Sequence, residues 1–141
     1  MLNQLPEAVI FDLFGTLVND FSVQAHEQAI SEMAAILQVS RADFAPLWND
    51  ETYLMRATGV FANTAANLRY ICDTLRVSVP AERIAEAAQV RLDFSRRALV
   101  PRPDAIPTLA HLKKLGFPLG LISDCSPEVP LLWSTTPFAA L

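Results

Sequence analysis

The amino-acid sequence predicts an α/β protein in which a short parallel sheet is interrupted by a long helical insertion. Three observations carry this. The run Ala8-Val9-Ile10-Phe11 reaches Asp12 without a polar break and turns at once through Gly15-Thr16, as a buried strand does when it delivers an acid to its carboxyl end. A second run, Leu119-Gly120-Leu121-Ile122, ends in small polar residues at Ser123-Asp124-Cys125-Ser126. Between the two, residues 19–98 carry apolar residues at helical spacing over a stretch far longer than a plain crossover needs.

The first strand is expected over Ala8 to Leu13. Ala25, Ala29, Ile30, Met33, Ala34, Ile36 and Leu37 then mark one face of a helix, with Ser22 as its amino-terminal cap. A second helix is expected after Ser40, with Phe44, Leu47 and Trp48 on its apolar side. Pro46 is placed in its first turn, where an amide proton has no internal partner to lose. Gly59 breaks the next helical segment near Arg56. A further helix is expected from about Asn63 to Leu75, with Leu68, Ile71, Cys72 and Leu75 as its stripe. Pro80 opens another at its first helical position, with a face of Ala81, Ala85, Ala88, Leu92 and Ser95 small enough for close packing in a bundle. Leu99 to Asp104 is the return linker. Asp104 caps a helix that runs to Leu115 and ends at Gly116, the second strand takes Leu119 to Asp124, and Pro127-Glu128 starts a last short turn that soon meets Pro130.

Composition bounds the function. The chain has 141 residues, 52% hydrophobic and 18% charged, which suits a packed globular protein. Its net charge of −4, with no basic stripe, argues against a nucleic acid held through phosphates. Cys72 and Cys125 are too few for a disulfide framework and lack metal-type spacing. No signal peptide is visible, and no apolar run approaches the ~18 residues that span a bilayer. A cytoplasmic protein with a small-molecule substrate, without nucleic-acid or membrane partners, is the expectation.

In an open parallel sheet, ligands bind beyond the carboxyl ends of the strands, so Asp12 and Ser123 point to one site. The plainer alternatives are that Asp12 caps the turn after it and that Ser123 merely ends a strand. The phrase Phe11-Asp12-Leu13-Phe14-Gly15-Thr16-Leu17-Val18, the later strand ending at Ser123, and the segment Pro101 to Leu109 before it resemble motifs I and II of the haloacid dehalogenase-like hydrolase superfamily. The resemblance covers the whole chain. It implies a Rossmann-like core over 1–18 and 99–141, incomplete here, and makes 19–98 a helical cap that closes over the site. An all-α domain unrelated to the site is the alternative.

The resemblance implies roles as well. Asp12 is the nucleophile: a carboxylate fixed against an electrophile forms an ester that water then splits, replacing one hard displacement by two easier ones. Gly15, Thr16, Ser123 and Asp124 would hold an anionic group of the substrate, and Mg²⁺ would sit on the Asp12 carboxylate and the Phe14 backbone carbonyl. Phosphatases of the superfamily carry a second Asp two positions after the nucleophile, and here that position is Phe14. Without an acid there, expulsion of an alkoxide loses a factor on the order of 10²–10⁴. Haloacid dehalogenases are similar to this chain in having an aromatic residue at that place, but their cap Arg that receives the halide falls at Asn49, and no charge is expected to replace it. Phosphonate hydrolases use a cap Lys, whereas Lys113 and Lys114, the only lysines, lie outside the cap.

The superfamily's later Lys or Arg and its later acidic pair do not occur before Leu141. The expectation is therefore a truncated, inactive hydrolase of a phosphorylated or 2-halo acid substrate, with core edges open to self-association. A 2-haloacid dehalogenase and a non-catalytic binding remnant are the rivals. His26 and His111 are expected as surface or satisfied core histidines, Cys125 as an inert thiol, and Arg96-Arg97 as solvated surface.

Overall fold

Val9–Phe11 forms β1 and Leu119–Leu121 forms β2, and the two pair in parallel with Val9 opposite Leu119 and Phe11 opposite Leu121. This is a computed structural model that describes residues 7–141; the lead-in up to Pro6 lies outside the described residues. Two further bonds extend the ladder, from Val9 N–H to the Pro118 carbonyl and from Ile122 N–H to the Phe11 carbonyl, each 2.9 Å. The expected parallel neighbours are present, but both strands are shorter than read. The cause at the first is Leu13, which is fully buried and whose carbonyl accepts from Thr16, Leu17 and Val18 at 3.3, 2.9 and 3.1 Å. Three amides converging on one carbonyl commit the chain to a turn before the strand can lengthen.

One face of this sheet is covered. Phe11 and Leu119 pack on a cluster of Leu13, Leu17, Val18, Leu99, Leu109, Val129, Leu132 and Phe138. On the other side Ile10 and Ile122 stand 62% and 69% exposed. Parallel sheets are ordinarily covered on both faces, so this open face is a departure from the rule that suggested the fold.

The helical interval follows the expected order. α1 spans Val23–Leu37, with the Ser22 hydroxyl accepting from Ala25 N–H. α2 spans Arg41–Pro46 and is capped by Ser40, which accepts from Asp43 N–H. Pro46 is thus the last residue of α2, not a first-turn residue, and the helix continues as a π turn over Leu47–Glu51. α3 takes Tyr53–Ala57, Gly59 turns the chain at φ +76°, and α4 takes Thr64–Thr74 under the Asn63 cap. α5 spans Ala81–Ala98 with Pro80 as its cap residue, one position earlier than read. Its buried face also differs: Ala81 and Ala85 are exposed, while Ile84, Ala87 and Phe94 are buried beside Ser95. The larger side chains dictate which face turns inward, because they remove more apolar surface from water.

α6 spans Ala105–Lys114 and follows Asp104, whose side chain makes no capping bond. Gly116 ends it at φ +86°, with Phe117 N–H returning to the Leu112 carbonyl as in a Schellman turn. After β2, α7 occupies Glu128–Leu132. α1, α2, α4 and α5 enclose a second apolar cluster, which includes Ile30, Met33, Phe44, Trp48, Leu68, Ile71 and Ile84. No described helix is long and apolar enough to cross a membrane.

Two isoleucines separate buried from exposed apolar surface. Ile30→Ala, at a fully buried position, is expected to lower stability by ~2–5 kcal/mol, and Ile10→Ala by no more than ~0.5 kcal/mol. Urea unfolding of both variants checks this, and equal losses would contradict the placement of Ile10.

Candidate active site

Asp12 follows β1 directly and is exposed. Ile122 extends the ladder of β2, so Ser123 leaves the sheet at the same edge as Asp12. Ser123 Oγ is buried and has no hydrogen-bond partner among the described residues, which leaves a hydroxyl able to serve a bound group. Gly15 and Thr16 lie exposed in the turn. Gly15 has φ +74°, and a Cβ there would come within 2.9 Å of the Asp20 carboxylate. The left-handed backbone favours glycine, whereas the exposed Asp20 side chain could move aside.

Beside this edge lies a cavity of about 380 Å³. Phe14 and the segment Asp124 to Ser126 form its sheet side, and His26, Asn49, Tyr53, Arg56, Arg91 and Phe94 form its helical side. Asp12 itself is not in the wall. The Phe14 ring meets Phe21 edge-on at 6.2 Å, and Phe21 meets Phe94 at 6.0 Å, so the position of the phosphatase acid is occupied by the start of an aromatic cluster. The Tyr53 hydroxyl donates to the Asp124 carboxylate at 3.0 Å, joining α3 to the segment after β2. That carboxylate, as acceptor and neighbouring charge, raises the phenol above its ordinary value.

Two cations lie in the helical wall. Arg56 is 5% exposed, with its guanidinium carbon 3.9 Å from the centroid of Trp48, and Nη1 donates to the Trp48 carbonyl and Thr52 Oγ1, both at 2.8 Å. Burial first, and Arg91 second, lower its pKa to about 10, so it stays charged at neutral pH. Arg91 stands 4.7 Å from the Phe94 ring and 5.6 Å from Trp48. Its side chain is 12% exposed, and Nε forms an ion pair with Glu128 Oε2 at 3.6 Å, beyond hydrogen-bond length. Nη2 approaches Ser126 Oγ at 3.4 Å, while Nε and Nη1 are buried without a hydrogen-bond acceptor among the described residues. Burial lowers its pKa and Glu128 opposes the shift.

Glu128 is itself 2% exposed and accepts from the hydroxyls of Thr64 and Ser126. Thr64 begins α4, Arg91 lies on α5 and Ser126 follows β2, so one carboxylate gathers groups from both apolar regions.

Two expectations need correction. His26 is a wall residue: Nε2 pairs with Asn49 Oδ1 at 3.0 Å, and its ring lies 5.6 Å from Phe21 and 5.8 Å from Phe94. Nδ1 is buried without a partner, so the ring is neither a surface group nor a satisfied one. Asn49 does stand in the wall, but the site is not without positive charge there, because Arg56 and Arg91 enter from α3 and α5. Sequence reading missed both, and Glu128 with them. A signal for Arg91 existed, since it falls four residues after Ala87 and three before Phe94, on the face those residues bury. Arg96 pairs with Asp93 at the surface, as expected of it, and burial raises the Cys125 thiol.

The resemblance offers Mg²⁺ only the Asp12 carboxylate and the Phe14 carbonyl, because Phe14 stands where a second acid would be. Among the described residues no three His, Cys, Asp or Glu side chains cluster at metal-binding distance. One charged oxygen and one carbonyl fall short of a site that would hold the ion by themselves.

A family model described as haloacid dehalogenase-like hydrolase matches residues 6–132. The chain belongs to that family. Among curated proteins it is 31% identical over 129 residues to the (S)-2-haloacid dehalogenase H-109 of Pseudomonas putida, covering 85% of this chain and 52% of the relative. A second (S)-2-haloacid dehalogenase of Pseudomonas putida matches with the same identity and coverage. The chain thus spans about half the length of these curated relatives. Among solved structures, the L-2-haloacid dehalogenase RSc1362 aligns with a TM-score of 0.47 at 20% identity, covering 94% of this chain and 60% of that one. A hydrolase from Pseudomonas syringae aligns with a TM-score of 0.41 at 18% identity, covering 90% and 54%.

Two measurements probe the wall. Burial, with the charges of Arg91 and Arg56 and against the opposing Asn49 bond and Glu27, holds the His26 pKa below 6.5. As pH falls the unfolded chain therefore protonates first, and the stability contributed by the neutral ring is present above 6.5 and lost as pH falls through the folded value. Unfolding between about pH 7 and pH 5 should show this loss in the wild type and a flatter profile in His26→Gln. Glu128→Ala is expected to destabilise by ~3–5 kcal/mol, because it leaves Arg91 buried without its counter-charge. A loss below ~1 kcal/mol in chemical unfolding would contradict the buried pair.

Proposed function

We propose that this hydrolase acts on a small 2-haloacid through an ester on Asp12. The observation that carries the reading is Phe14, an aromatic side chain in the cavity wall at the position from which a leaving alcohol would need its proton. A halide leaves as a stable anion and needs none, so the chemistry fits the residue. The two Pseudomonas putida relatives named as (S)-2-haloacid dehalogenases support the same substrate class.

In this mechanism an Asp12 carboxylate oxygen attacks C2 of the substrate, the C2–O bond forms, and the carbon–halogen bond breaks with its electron pair on the halide. Water then adds to the ester carbonyl of Asp12, releasing a 2-hydroxy acid and a proton and restoring the carboxylate. The second step leaves the C2–O bond intact, so configuration at C2 inverts once. Ser123 Oγ, buried and unpartnered, supports the reading as a donor to the substrate carboxylate at the sheet edge. The cavity wall of Phe14, Phe21 and Phe94 suits a short apolar substrate body. Residues 19–98 serve in this reading as the cap over the site.

A single turnover in heavy-oxygen water, with protein in excess over 2-chloropropionate, tests the ester. The expected product is unlabelled 2-hydroxypropionate, with the label appearing in Asp12 by mass spectrometry. Halide release should be lost in Asp12→Asn and should exceed phosphate release from simple phosphate esters. Brisk phosphatase activity would overturn the account of Phe14, and no halide release from any 2-haloacid would favour a binding module.

A further inference from the structure

Arg91 brings to the cavity wall donors that the fold does not use. Arg56 and Arg91 are both withdrawn from solvent, and each lies over an aromatic face, Trp48 for Arg56 and Phe94 for Arg91. Only one carboxylate, Glu128, is buried with them, and it is shared with Thr64 and Ser126. Asp124 also reaches the wall, but it is exposed and occupied by the Tyr53 hydroxyl. Arg56 spends Nη1 on two oxygens, whereas Arg91 keeps Nε and Nη1 buried without an acceptor. A buried guanidinium with unmet donors is a demand for an acceptor, and the empty volume beside it has an aromatic wall that keeps the local dielectric low.

We propose that Arg56 and Arg91 together form a binding site for a small monovalent anion in this cavity. Two features define the ligand class. Nη1 of Arg91 offers a donor with no acceptor among the described residues, and the Arg56 guanidinium lines the same cavity, whose wall carboxylate, Asp124, is exposed and held by Tyr53. The aromatic enclosure selects weakly hydrated ions, a halide such as bromide or a short carboxylate, over strongly hydrated divalent ones, because the ion must shed its water. Asn49 lines the same cavity, with its Oδ1 held by His26. The site therefore supplies, from α3 and α5, the positive charge that position 49 lacks. Its identification as the seat of the leaving halide or of the substrate carboxylate rests on the hydrolase reading; the binding of an anion does not.

Titration of the 141-residue chain with sodium bromide at constant ionic strength, followed through the guanidinium Nε–H signals of an isotope-labelled sample, tests this. Saturable shifts of the Arg91 and Arg56 signals are expected. Arg91→Met should weaken binding by about tenfold or more, the scale of one charge-assisted contact. Arg91→Lys, which keeps the charge and guards against a variant that fails to fold, should retain part of it. Glu128→Gln should move affinity the other way, because it removes the competing negative charge. A parallel titration with 2-hydroxypropionate distinguishes a carboxylate seat from a halide seat, and saturation by either supports the site. Shifts that rise without saturation, or saturation unchanged in Arg91→Met, would overturn it. Bromide binding without halide release from 2-haloacids would leave the site standing and remove the hydrolase reading; the reverse result would do the opposite.

Discussion

Glu128 is the group on which the joining of the sheet to the helical interval depends. A carboxylate taken out of water is expensive, and it is tolerated here because three partners from three segments converge on it: the Thr64 and Ser126 hydroxyls and the Arg91 guanidinium. Apolar contact alone would let the two clusters slide against each other, since burial is non-directional. Directed bonds to a buried charge restrict the docking to one arrangement. The cavity sits where that arrangement leaves a gap, so its shape is set by polar anchoring as much as by packing.

The low polarity of the cavity affects its charges in opposite ways. Desolvation lowers the pKa of Arg56 and His26, yet only His26 is brought to neutrality near physiological pH, because an arginine starts so much higher. The result is two guanidiniums, with the Glu128 and Asp124 carboxylates nearby, beside a neutral imidazole. Field strength rises in such surroundings, so an anion placed there feels the guanidiniums far more than it would at the surface.

What the sequence made legible follows from locality. The strand before Asp12, the cap at Ser22, the helix starts after Ser40 and near Asn63, and the glycine turns at Gly59 and Gly116 are decided within a few residues; all are present, with the strand shorter than read. The face of α5 was misjudged because small residues on two sides gave competing stripes, and the choice fell to Ile84 and Phe94 through partners distant in the chain. The candidate site divides in the same way. Asp12 and Ser123 were legible because strand ends announce themselves, whereas Arg56, Glu128 and the wall position of His26 arise from contacts made across segments.

The π turn over Leu47–Glu51 carries a geometric consequence for specificity. Eight residues separate Trp48 from Arg56, and in an unbroken α-helix that separation would leave their side chains about 80° apart around the axis. The wider turn, closed by Thr52 N–H on the Leu47 carbonyl at 2.9 Å, absorbs one residue and brings the offset to about 20°. Arg56 thereby swings over the indole. The angular phase of the polypeptide, and not a change of side chain, selects which positive group looks inward. An insertion or deletion of one residue in this turn would rotate Tyr53, Arg56 and Ala57 out of the chamber and turn a different surface toward it.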